Sequence, residues 1–119
     1  KELHKLRPPF NITTLSLEAA SVAVEEQAFV NNCISLCFSE MKHYEEFATK
    51  QKIDIIESYT NFVTLCLNKN SSSTQISDAL LRQGMIVRDL SGYGMNALRV
   101  TVGTPEQNSR FFELTAELL

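Results

Sequence analysis

Two arginines stand out for the chemistry their positions allow. Arg88 and Arg99 flank a glycine-rich loop, Ser91-Gly92-Tyr93-Gly94. Leu98, Val100 and Val102 alternate as the core-facing residues of a strand, which turns Arg99 and Thr101 to the opposite side. An arginine fixed on a strand is a planar fork able to hold a carboxylate or a phosphate through two parallel hydrogen bonds. The plainer reading is a solvated guanidinium on the outer face of a sheet, because anion sites are few in any protein. The pattern alone leaves both open. Tyr93 either orders the loop between the two arginines or simply caps the sheet.

Other chemistry finds little support. Neither Gly-x-Gly-x-x-Gly nor a glycine-lysine phosphate loop occurs, and there are only 4 glycines. His4 and His43 are the only histidines, and His43, three residues after Glu40 on a helix, reads as a surface residue. Cys33 and Cys37 lie one helical turn apart, but no further ligands follow at metal-binding spacing, so both read as small core residues on an apolar stripe. No strained-turn motif suggests a Ser, His and acid arrangement. As a self-contained enzyme the chain looks empty.

The elements that position these residues follow from periodicity. Arg7-Pro8-Pro9 keeps the start extended. Thr13 or Thr14 can cap a helix carrying Leu17, Ala20 and Val24, with Glu18 near its positive end. A longer helix is expected over 27–49, with Val30, Cys33, Ile34, Cys37, Met41, Tyr44 and Ala48 on one face. Whether Glu25-Glu26-Gln27 breaks or bends the join is left open. Ile53, Ile55 and Ile56 mark a short strand, and Val63, Leu65 and Leu67 a second. Ser72 and Gln75 fit a capping box for a helix over 73–83, which Gly84 ends as a left-handed cap. Met85-Ile86-Val87 reads as a third strand and 98–102 as a fourth. Thr104-Pro105-Glu106-Gln107 opens a last helix whose buried stripe is Phe111, Leu114 and Leu118. The expected fold class is α+β, a small, mostly antiparallel sheet covered on one face by helices.

Composition bounds the rest. The chain has 119 residues, 44% hydrophobic and 21% charged, which suits one globular domain. A net charge of -3 without any Lys/Arg run argues against nucleic acid as a partner. No apolar run approaches the length of a membrane span, and the N-terminus lacks the apolar stretch of a secretion signal. Three cysteines are odd in number and sparse, which suits a reducing cytoplasm. The chain begins with Lys1 and not Met, as a processed product or a piece of a longer protein would.

The stretch from Gly84 to Phe111, with Arg7-Pro8-Pro9-Phe10-Asn11 and Asn61-Phe62-Val63 ahead of it, resembles the C-terminal segment of histidinol-phosphate aminotransferases, pyridoxal-phosphate enzymes of the fold-type I superfamily. The resemblance implies that Arg99 binds the anionic group of the substrate, a phosphate or a carboxylate, and that Arg88 is a second arginine near the substrate phosphate. It implies amino transfer between histidinol phosphate and 2-oxoglutarate, a step of histidine biosynthesis, in a parent that is typically a homodimer. Residues 1–12 would then be an extended linker from a large domain of the same chain, and 13–119 the small domain. The family's Schiff-base lysine, its acidic partner for the pyridine nitrogen and its phosphate cup lie upstream of the matching region. None of Lys1, Lys5, Lys42, Lys50, Lys52 and Lys69 has a matching context. The chain alone is therefore expected neither to bind pyridoxal phosphate tightly nor to turn over substrate, and, cut from its partner domain, to expose an apolar face. Aromatic aminotransferases and threonine-phosphate decarboxylases share this domain and remain alternatives. So does a stand-alone α+β module that binds a metabolite or a protein.

Overall fold

The structure is a computed structural model and describes residues 12–119. The expectations on Arg7-Pro8-Pro9-Phe10-Asn11 and most of the linker lie outside the described residues. The chain divides into two compact units between Cys33 and Ile34.

In the first unit, helix α1 (Thr14–Ala23) starts at Thr13, whose hydroxyl accepts the Ser16 N–H at 3.1 Å, as its sequence position suggests. Glu18 sits beyond the first turn. The helix stops at Ala23, and a second one, α2 (Gln27–Gln51), most of whose residues belong to the second unit, begins three residues after the Val24 cap, so the join is a break. Leu15, Leu17, Val22, Val24, Phe29 and Val30 are exposed.

The second unit carries the sheet. In chain order it adds β1 (Asp54–Ile56), β2 (Phe62–Cys66), α3 (Ser73–Arg82), β3 (Arg88–Asp89), a 3₁₀ turn (Ser91–Tyr93), β4 (Ala97–Thr101) and α4 (Pro105–Ala116). The strands lie in the order β1-β2-β4-β3 with every neighbouring pair antiparallel. Val63, Leu65, Leu98 and Val100 are buried together with Met41, Tyr44 and Phe47 of α2, Ile76 and Leu80 of α3, and Phe111 and Leu114 of α4. The α+β class and the helical layer are therefore as expected. Aromatic rings dominate the helical side: Tyr44 meets Phe112 edge-on at 4.7 Å and Phe47 stacks on Phe112 at 4.9 Å.

Several expectations need correction. The third strand is Arg88–Asp89 and not 85–87. The Met85 N–H is drawn back to the Leu80 carbonyl (2.9 Å) and the Gly84 N–H to that of Leu81 (3.0 Å), a Schellman cap around Gly84 at φ +78. Those residues still close the helix, so pairing with β4 begins only at Arg88. The apolar face of α2 is buried from Met41 onward, whereas Val30, Cys33 and Ile34 are exposed. Cys33 is thus no core residue. Leu118 is half-buried beyond the end of α4. Ser72 accepts the Gln75 N–H at 3.4 Å, but the reciprocal bond is absent among the described residues. The Thr104–Gln107 box is complete, with Pro105 in its first turn.

Candidate anion-binding face

The site grows from one row of residues across the sheet. Ile56 pairs with Thr64, Thr64 with Arg99, and Arg99 with Arg88. Directly paired residues share a face. Since Leu65, Leu98 and Val100 point into the core, this row faces away from the helices. Arg99 is half-buried there and Arg88 is exposed. The structure therefore brings the two arginines together on the side expected for Arg99.

Each guanidinium rests on an aromatic ring. The Arg99 guanidinium carbon lies 4.9 Å from the centroid of Phe62, which stands two residues before Thr64 on the same face of β2. That of Arg88 lies 5.6 Å from the Tyr93 ring, and Arg88 Nη2 donates to Tyr93 Oη at 2.8 Å. Two like charges opposite each other on neighbouring strands repel. Contact with a ring returns about 0.5–1 kcal/mol at an exposed site, which offsets part of that repulsion. The arrangement sets two guanidinium groups without an ion-pair partner among the described residues on one face of the sheet.

Behind the row, Asp89 fixes the strand and its loop. It pairs with Leu98, so its carboxylate points to the helical side. There it accepts from Ser73 Oγ (2.6 Å), Thr74 Oγ1 (2.7 Å), and the N–H and hydroxyl of Ser91 (2.9 and 2.5 Å). These donors, Ser73 and Ser91 foremost, hold its carboxyl far below the usual carboxylate range. Asn96 anchors the other end of the loop: its Nδ2 donates to the carbonyls of Ser71 (2.9 Å) and Asn68 (3.1 Å), and its Oδ1 accepts the Ser73 N–H (3.0 Å).

The other candidates lie elsewhere. Cys37 is half-buried, burial pushes its thiol up, and it donates to the Thr60 carbonyl at 3.7 Å. His43 is half-exposed, with Nδ1 3.4 Å from Glu46 and Nε2 4.0 Å from Glu40. Among the described residues no three His, Cys, Asp or Glu side chains gather as metal ligands, and no helix is long and apolar enough to cross a membrane. A cavity of about 440 Å³ lined by Glu40, His43, Phe47, Lys50 and Phe112 shares no residue with the arginine row. Lys42, Lys50, Lys52 and Lys69 are all exposed, without the sheltered, charge-compensated setting that a Schiff-base lysine needs. These residues do not fit pyridoxal phosphate. Sequence reasoning missed Phe62, Asp89 and Asn96. The signal for Phe62 was its place on the strand one step before the core residue Val63, but only the register puts its ring under Arg99.

Comparison with known proteins identifies the family. Residues 1–113 match the family model of class I and II aminotransferases. The chain is 66% identical over all 119 residues to a histidinol-phosphate aminotransferase of Sulfurimonas denitrificans, covering 33% of that protein. It is 52% identical over the same length to the enzyme of that name from Aliarcobacter butzleri, covering 32%. In fold it is similar to the histidinol-phosphate aminotransferase of Clostridium acetobutylicum, with a TM-score of 0.77 at 20% identity over 91% of this chain and 34% of the other. The chain thus spans about a third of the length of the curated relatives it matches.

Proposed function

Since the chain belongs to the class I and II aminotransferase family, we propose that it is the C-terminal small domain of a histidinol-phosphate aminotransferase and supplies the arginines that hold the substrate anion. The reading is supported by its 66% identity to one such enzyme, together with the pairing of Arg99 with Arg88 on the open face of the sheet.

Arg99 is the principal ligand. Its strand fixes the backbone, Phe62 supports the guanidinium, and the fork accepts in turn the phosphate of histidinol phosphate and a carboxylate of glutamate or 2-oxoglutarate. Arg88 approaches the same anion from the neighbouring strand. Holding the charged end fixes where the amine or keto group lies, so binding energy is converted into orientation. Pyridoxal phosphate and the residues that seat it belong, on this reading, to the large domain of the same chain. The parent is a cytoplasmic homodimer acting in histidine biosynthesis.

The test is the full-length protein assayed with histidinol phosphate, phenylalanine and threonine phosphate as separate substrates. Amino transfer from histidinol phosphate to 2-oxoglutarate with the highest kcat/KM is the expected result. No turnover of histidinol phosphate overturns the proposal, and a preference for phenylalanine or a decarboxylation of threonine phosphate reassigns the parent within the superfamily.

A further inference from the structure

The loop between the two arginine strands places a phenol beside the anion site. Tyr93 Oη accepts a hydrogen bond from Arg88 at 2.8 Å. A phenol that accepts still has its own O–H to donate, and among the described residues no hydrogen bond uses that proton. The ring is held in place and is not carried on a slack loop. The Tyr93 N–H bonds to the Leu90 carbonyl and the Gly94 N–H to that of Ser91, both at 2.9 Å. Gly94 takes the left-handed conformation at φ +78, and Asp89 ties down Ser91. The Tyr93 side chain is exposed, in the turn that follows β3.

We infer that Tyr93 is a specificity-determining residue that favours a phosphate monoester over a carboxylate at the Arg88–Arg99 site. The inference rests on the reading of that site proposed above. A carboxylate offers two oxygens and one charge, which the Arg99 fork alone satisfies. A phosphate monoester offers three terminal oxygens and nearly two charges at neutral pH. The extra oxygen needs a further donor. The Tyr93 hydroxyl, aligned by Arg88 and still holding its proton, supplies it. Tyr93 thus discriminates between the two substrates that one site must accept in turn.

The experiment uses the full-length holoenzyme and its Tyr93→Phe variant, which keeps the ring under Arg88 and removes only the hydroxyl. Kinetics with histidinol phosphate and with glutamate are measured separately, as is competitive inhibition by inorganic phosphate. The expected result is a rise of about tenfold in KM for histidinol phosphate and in the phosphate inhibition constant, the effect of one hydrogen bond to a charged group. KM for glutamate and both kcat values should stay within about twofold, a change too small to represent a lost hydrogen bond. Unchanged constants in Tyr93→Phe, with Arg88→Ala raising KM for histidinol phosphate, overturn the role of Tyr93 and leave the arginine site standing. An equal rise for both substrates also overturns it, since Tyr93 would then only prop the arginines. Unchanged constants in both Arg88→Ala and Arg99→Ala overturn the site itself.

Discussion

Arg88 and Arg99 are cross-strand partners, two like charges set directly opposite each other at the β3–β4 ladder. Such a pair weakens a sheet unless something compensates for it. Here each charge rests on a ring, Arg99 on Phe62 and Arg88 on Tyr93, and both face away from the helical layer. On the reading proposed above, that charge is kept at some cost to the fold because the face serves an anion.

Replacing Arg99 by Ala in the full-length protein removes both arms of the fork. The expected outcome is a fall of about 100-fold in kcat/KM for histidinol phosphate, the loss of a bidentate bond to a charged group. Arg99→Lys should recover only part of it, because a point charge lacks the planar fork. Steady-state kinetics decides this, and wild-type values for Arg99→Ala would show that the arginine is merely solvated.

Phe62→Leu keeps an apolar residue of similar size on β2 but removes the π face beneath Arg99. KM for the anionic substrates should rise about two- to fivefold with kcat little changed, in line with a cation–π contact of about 0.5–1 kcal/mol. Equal KM values for variant and parent would mean that the strand alone aims Arg99.

Asn96 makes three bonds to the connection between β2 and α3, through the carbonyls of Asn68 and Ser71 and the N–H of Ser73. Asn96→Ala leaves those groups to find water or go unpaired. A loss of about 1–3 kcal/mol is expected, read as a lowered urea midpoint. An unchanged midpoint would mean that solvent satisfies the loop equally well.

Asp89 makes stability depend on acid. Its carboxyl in the fold is depressed below the ordinary carboxylate value by the donors from Ser73 and Ser91. Its contribution is therefore complete above the unfolded pKa of about 4 and is lost as pH falls from there toward the depressed value. Asp89→Asn should flatten this acid limb when thermal midpoints are followed downward from pH 6. An acid limb as steep as that of the parent would assign it to other carboxylates.

Lys52 ends α2 in the left-handed region at φ 57, where its Cβ is crowded. The Lys52 N–H meets the Thr49 carbonyl and the Ile53 N–H that of Ala48, which completes a Schellman cap. Lys52→Gly relieves the crowding and should raise stability by about 1 kcal/mol, seen as a higher urea midpoint. A lower midpoint would show that the flexibility glycine adds to the unfolded chain outweighs the relief.

Local patterns were legible in the residues themselves. The Thr13 and Thr104 caps, the Gly84 stop, the alternation of Val63, Leu65 and Leu67, and that of Leu98 and Val100 all act within one or two turns or along one strand. Their physics is contained in short windows of chain. That alternation also fixed which way Arg99 points. The register was not legible. Met85-Ile86-Val87 is apolar enough for a strand, yet the cap of α3 takes the Met85 N–H, and pairing starts three residues later at Arg88. That shift is what sets Arg88 opposite Arg99. Pairing joins residues far apart in sequence, and a slip of one position turns every side chain to the other face, so no local period encodes it. The seat of Phe62, the donors around Asp89 and the exposure of Val30 and Ile34 depend on the same long-range choices. Sequence alone determined the helices, three of the four strands and the aim of one arginine; tertiary structure placed the remaining strand and decided what that arginine faces.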